Sequence, residues 1–199
     1  MANIHQKKGI EIKLSRRRLY FLFGLFAVVA VALIYFYFGP KPVQPLTSIQ
    51  YYNNVLNFRR DLREASKIPI YPDELAVRNE IMNQLVENVT IAFKPASETE
   101  NSLYSLEIYE IIPKLMIGYS RIKTSPHFNA TIVSSYENIE GAIHPTMNNP
   151  MIVLVHPVYS NETSVSMGFH TIYIKGKTAK DFDLATIRFL LAALDIKDI

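Results

Sequence analysis

The sequence contains no cysteine, which excludes both a disulfide framework and a thiolate metal site. A domain built from it is held by its packed core alone. Glycine is scarce as well, seven among 199 residues, and beyond Gly39 only Gly118, Gly141, Gly168 and Gly176 remain. That leaves no glycine-rich cofactor loop, and there is no Gly-x-Ser-x-Gly nucleophile elbow. Gly176-Lys177-Thr178 has the ending of a phosphate-binding loop, but such a loop needs a glycine four residues earlier, where this chain has Thr171. Bulky strand formers, Ile172 to Lys175, fill the interval. Every residue of the motif has a structural reading instead: Gly176 turns the chain out of a strand, Thr178 caps the next helix, and Asp181 completes a capping box. No nucleotide and no cofactor is expected.

Charge is missing from one long stretch. Leu19 to Phe38, LYFLFGLFAVVAVALIYFYF, is uncharged over 20 residues, and at about 1.5 Å per helical residue it matches roughly 30 Å of hydrocarbon. Aromatic rings crowd both ends, as at lipid headgroups, and the centre carries no ionisable group that would mark an ion path. Gly24 has no small partner four residues on, so the close-packing dimer motif is absent. The reading is one transmembrane helix with the lipid bilayer as its first partner. Ala30-Val31-Ala32 has the form of a signal-peptidase site, yet the apolar run continues past it, so the span is expected to remain as an anchor.

Six basic residues, Lys7, Lys8, Lys13, Arg16, Arg17 and Arg18, precede the span, and Lys41 stands alone after it until Arg59. Positive residues resist translocation, so the N-terminus is expected in the cytoplasm and the remainder outside the cell membrane. Residues 39–199 carry 17 acids and 15 bases, so the excess of positive charge over the whole chain belongs to the leader. The leader is a topology signal and gives no reason to invoke nucleic acid. Three glycosylation sequons, at Asn88, Asn129 and Asn161, are compatible with export.

The resulting organisation is a basic leader at 1–18, a transmembrane helix at 19–38, a proline-rich spacer at 39–46 and one extracytoplasmic domain at 47–199. The domain reads as mixed α/β of the α+β class. Thr47 or Ser48 caps a first helix to about Ser66, with Tyr51, Val55, Phe58, Leu62 and Ala65 as a narrow apolar stripe. Asp73 caps a second helix to about Val86. A four-stranded sheet is expected from residues 89–94, 128–134, 150–156 and 171–175, where β-branched and aromatic residues gather. Residues 102–119 repeat apolar side chains at helical spacing, though Pro113 should kink or end that helix. The last helix, 179–194, is apolar over nearly its whole circumference and must be enclosed, either inside the domain or by a partner.

Two constellations could carry chemistry. His156 closes one expected strand and His170 opens the next, so with His144 they could offer three nitrogens to a metal. The spacing contains no local ligand pair, so metal is not expected. Glu107 and Glu110 share a helical face that could serve acid and base roles, alongside Glu98 and Glu100, but a solvated face is the expectation because no buried polar surround is evident. The function expected is therefore noncatalytic: an accessory or interaction protein that holds a protein partner, or its own copy, at the outer membrane surface. The docking residues expected are Tyr51, Val55, Phe58 and Leu62 on the first stripe and Phe182, Phe189, Leu191 and Leu194 on the last helix. A membrane-tethered metal-dependent enzyme and a self-assembling envelope protein are the alternatives.

Overall fold

Alternation, and not helical spacing, governs the start of the domain. A computed structural model describes residues 47–95, 97–122, 128–134 and 144–197, all within one compact unit, Gln44–Ile199. Strands β1 (Thr47–Tyr51) and β2 (Asn54–Phe58) form an antiparallel hairpin with Tyr51 opposite Asn54. Tyr52 takes a left-handed φ of 52° in the two-residue turn. Ile49 and Tyr51 on one strand, and Leu56 and Phe58 on the other, pack into the core with period two. This corrects the expected first helix. Its stripe happened to fall at intervals of four and three, but Ile49 and Leu56 lie off that stripe and on the face of a hairpin. Only its end is helical, α1 (Leu62–Ala65), whose cap Asp61 accepts hydrogen bonds from Arg63 N at 2.7 Å and Glu64 N at 3.2 Å.

A short strand β3 (Ile70–Tyr71) leads into α2 (Glu74–Ile81). Asp73 caps α2 by accepting from Ala76 N at 2.8 Å, because a carboxylate at this position satisfies an otherwise orphaned amide. Then follow β4 (Asn88–Phe93), α3 (Glu98–Ile122), β5 (Asn129–Val133), β6 (Met151–Val155), a single 3-10 turn (Pro157–Tyr159), β7 (Ser164–Gly168), β8 (Thr171–Lys175) and α4 (Ala179–Ala193). Helix α3 runs through Pro113 without ending there. The proline is exposed, so the carbonyl it leaves unpaired can be hydrated, which lowers the cost of the interruption.

The single four-stranded sheet expected is also corrected. There are two sheets, the β1-β2 hairpin and a six-stranded sheet in the order β3-β7-β8-β6-β4-β5. The four expected strands are its parallel half, β8-β6-β4-β5, while β7 pairs antiparallel with β8 and β3 extends the sheet beyond it. Strand β6 lies between two parallel neighbours, which is why Met151–Val155 is an unbroken apolar run. One sheet face, with Ile91, Ile152, Leu154, Ile172 and Ile174, shares a core with residues from all four described helices. The opposite face forms a smaller cluster of Ala92, Met151 and Val153, to which none of those helices contributes.

Helix α4 is the hub, contacting α1, α2, α3, β7 and β8. Its end is a Schellman motif: Ile196 N donates to Leu191 O at 2.9 Å and Asp195 N to Ala192 O at 3.2 Å, with Asp195 at a φ of 56°. Among the described residues no helix is long and apolar enough to cross a membrane. The expected leader, span and spacer at 1–46 lie outside the described residues.

Candidate functional site

Where α3 meets the hairpin and α4, charge is gathered inside the domain. Glu107 and Glu110 on α3 are 1% and 4% exposed, and Lys114, one turn further, is buried beside them. Arg59, at the end of β2, reaches all three nearby acids: Nη2 lies 3.1 Å from Glu107 and 2.9 Å from Asp183, and Nε donates to Glu110 at 3.2 Å. Arg60 grips the other oxygen of Asp183 at 2.6 Å, and Lys114 donates to Glu110 at 2.8 Å while lying over the Phe58 ring. The solvated face expected for Glu107 and Glu110 is thus corrected. Their polar surround comes from β2 and α4, far away in sequence.

The electrostatics of the cluster are uneven. Burial, followed by hydrogen bonding to Asp183, pushes the Glu107 carboxyl up to about 8, so at neutral pH it retains a proton and donates it to Asp183. The Arg59 charge and the Thr186 hydroxyl favour the ionised form but are outweighed. Burial acts to raise Asp183 too, but the Glu107 hydrogen bond and the two arginines outweigh it and hold Asp183 below the ordinary carboxyl range. Burial lowers the Arg59 guanidinium, and Glu107, Asp183 and Glu110 more than restore it. Three cations thus meet three acids, one of them protonated. The physical role is to clamp the hairpin end onto α3 and α4.

This clamp determines what α3 shows to solvent. With Glu107, Glu110 and Lys114 turned inward, the outer side from Ser102 to Ser120 presents Ser105, Leu106, Tyr109, Pro113 and Met116, and no described residue of that outer side is charged. A surface helix ordinarily has the reverse arrangement. Tyr109 is 78% exposed, and Leu106, Met116 and, on β5, Ile132 are each about half exposed. Between α3 and β5 lies a groove of about 440 Å³, lined by Ile108, Tyr109, Ile112, Pro113 and Ile132 among others. Exposed apolar side chains of α3 and β5 thus stand beside one shared groove.

The docking residues read from sequence lie elsewhere. Phe58, Leu62, Phe182, Phe189, Leu191 and Leu194 are buried in the core, Tyr51 is half-buried against it, and Val55 is exposed on the hairpin. Helix α4 is enclosed by its own domain. The stripe that sequence reasoning passed over is Leu106, Tyr109, Pro113 and Met116, whose spacing of three, four and three gave the available signal.

The histidines do not come together. Strands β6 and β8 are parallel, with Met151 opposite Thr171 and Val155 opposite Lys175. His156 follows one strand and His170 precedes the other, so they occupy opposite ends, about 20 Å apart along the strands. An antiparallel pairing would have brought them together, but β7 fills that place. His156 is buried against Tyr104 and Phe182 and accepts from Val158 N at 3.2 Å. His170 bonds Glu80 at 2.8 Å, and His144 is exposed. Among the described residues no group of three acidic or histidine side chains is placed to hold a metal.

Gly176-Lys177-Thr178 is the strand-to-helix joint. Thr178 accepts from Asp181 N at 3.1 Å and its hydroxyl donates to the Asp181 carboxylate at 2.9 Å, a variant of the box in which the acid grips the capping side chain. Any Cβ on Gly176 would come within 2.3 Å of Phe182 N, so the glycine is required by close packing onto the first turn of α4. Of the sequon asparagines, Asn88 lies within the sheet and donates to Asn149 at 2.8 Å, while Asn129 and Asn161 are exposed. No family model matches the chain, and neither curated proteins nor solved structures include a match to it.

Proposed function

We propose that this chain is a noncatalytic accessory protein, held at a membrane by its apolar residues 19–38, whose domain docks a protein partner on the extracytoplasmic side. The outward apolar side of α3, with the groove toward β5, is the observation that carries the docking reading. A helix that turns its charges inward and its tyrosine and methionine outward is suited to an interface. The asymmetry of charge around residues 19–38 supports the orientation. The contributions to the mechanism are tethering by 19–38, spacing by the prolines at 39–46, and capture by Leu106, Tyr109 and Met116.

The test is gentle detergent extraction of the full chain from its native membrane, followed by native mass measurement of the purified species. A complex of defined mass that falls to monomer in Tyr109→Ser is expected. Recovery of the chain in the soluble fraction would overturn the tethering, and a bare monomer at all concentrations would overturn the docking.

A further inference from the structure

We propose that the partner is a second copy of this chain, joined through β5 and the outer side of α3. The inference rests on the docking reading above and names its occupant.

Among the described residues, β5 is the last strand of the six-stranded sheet and pairs only with β4. Natural edge strands are usually blunted by charge, proline or a bulge. Asn129-Ala-Thr-Ile-Val133 has no charge and no proline, and its register with β4 is continuous over five residues. The side of β5 away from β4, unpaired among the described residues, therefore offers backbone donors and acceptors to another strand.

The residues of β5 fit their own copy. In an antiparallel pair centred on Thr131, Ala130 lies opposite Ile132 of the copy on the helical face, a small residue against a large one. On the other face Thr131 meets Thr131, and Asn129 meets Val133. Such a pair is isologous, so any charged group near the axis would confront itself. Neither β5 nor the described residues of the adjoining outer face of α3 carry charge. Ile132 also lines the groove beside Tyr109, so pairing the strands would bring the two grooves and the two α3 stripes toward each other across one sheet. A lipid surface fits less well, because interfacial helices flank their apolar face with several basic residues. Among the described residues at the end of α3 the basic one is Arg121, and it lies over the Tyr52 ring.

The absence of cysteine makes the test clean. Thr131→Cys, in the full chain in detergent, places two thiols across the axis, where antiparallel neighbours have Cα atoms about 4.5–5.5 Å apart, within disulfide reach. Mild oxidation is expected to give a covalent dimer with Thr131→Cys and not with Asn161→Cys, a solvent-exposed control. Adding Tyr109→Ser to Thr131→Cys is expected to reduce the cross-linked fraction about tenfold, as for the loss of roughly one buried aromatic contact. Far-UV circular dichroism of each variant shows whether it folds. Equal cross-linking at both cysteine positions, or none at Thr131→Cys in a folded chain, overturns the pairing. If the chain instead purifies with a different protein whose binding is lost in Tyr109→Ser, docking stands and self-pairing fails. If Tyr109→Ser alters no association at all, both fail.

Discussion

Glu107 on α3 and Asp183 on α4 share a single nitrogen of Arg59, at 3.1 and 2.9 Å. Two carboxyl groups converging on one cation cannot both ionise cheaply, and the more deeply buried one keeps its proton. The folded domain therefore holds a proton on Glu107 up to about pH 8, whereas the unfolded chain releases it near the ordinary value of 4.5. Between these two values the native state binds more protons than the unfolded state, so stability falls as pH rises. The expected slope from this group is at most about 1.4 kcal/mol per pH unit. Asp183 acts oppositely and in a separate window, because its lowered value means that its contribution is lost only in acid.

Glu107→Gln should flatten that slope. The amide is neutral at every pH and can donate to Asp183 as the protonated acid does. Urea unfolding at pH 5, 6, 7 and 8 is the measurement. An unchanged difference between pH 5 and pH 8 in Glu107→Gln would show that Glu107 does not carry the proton.

Arg59 is the only described cation that touches Glu107, and it touches Asp183 and Glu110 as well. Arg59→Ala leaves buried acids undercompensated and should cost about 3–5 kcal/mol. Arg59→Lys keeps the charge but offers one point donor in place of the forked guanidinium, so it should recover only part of that loss. A cost below about 1 kcal/mol for Arg59→Ala in chemical denaturation would mean that the hairpin is held by its apolar face alone.

At Gly176 the steric and the nucleotide readings make opposite predictions. A methyl group there meets the backbone of Phe182, which cannot rotate away, so Gly176→Ala should destabilise by about 1–3 kcal/mol. Lys177, the residue that would grip a phosphate, is exposed, and Lys177→Ala should change stability by less than about 0.5 kcal/mol. Comparing the unfolding midpoints of the two variants decides the matter; equal effects would remove the packing account.

How far the sequence could be read depended on how local each signal is. The parallel strands β4, β6 and β8 were visible because burial on both faces leaves runs such as Met151–Val155 with little polar content. The Asp73 and Thr178 caps were visible because their partners are three residues away. The hairpin was hidden by a coincidence of spacing, since Tyr51, Val55 and Phe58 fit a helix as well as they fit two strands joined at Tyr52-Asn53. Ser164–Gly168 was hidden because small residues on one face gave no β-branched run. The clamp was hidden most deeply: Glu107 and Glu110 look like solvated acids until Arg59, 48 and 51 residues earlier, is folded against them.

The two apolar stripes of α3 should respond to substitution in opposite ways. Leu115 is fully buried, and Leu115→Ala should cost about 2–5 kcal/mol through lost transfer energy and a residual cavity. Tyr109, largely in water, should tolerate Tyr109→Ser within about 0.5 kcal/mol when the chain is dilute enough to be monomeric. At higher concentration the pattern should change, because association adds stability to whichever form binds. The unmodified chain should then gain resistance to urea as concentration rises, and Tyr109→Ser should not. A dilute Tyr109→Ser monomer that is destabilised by 2 kcal/mol or more would place the ring under a cover supplied by its own chain, and the outer side of α3 would no longer be a surface for a partner.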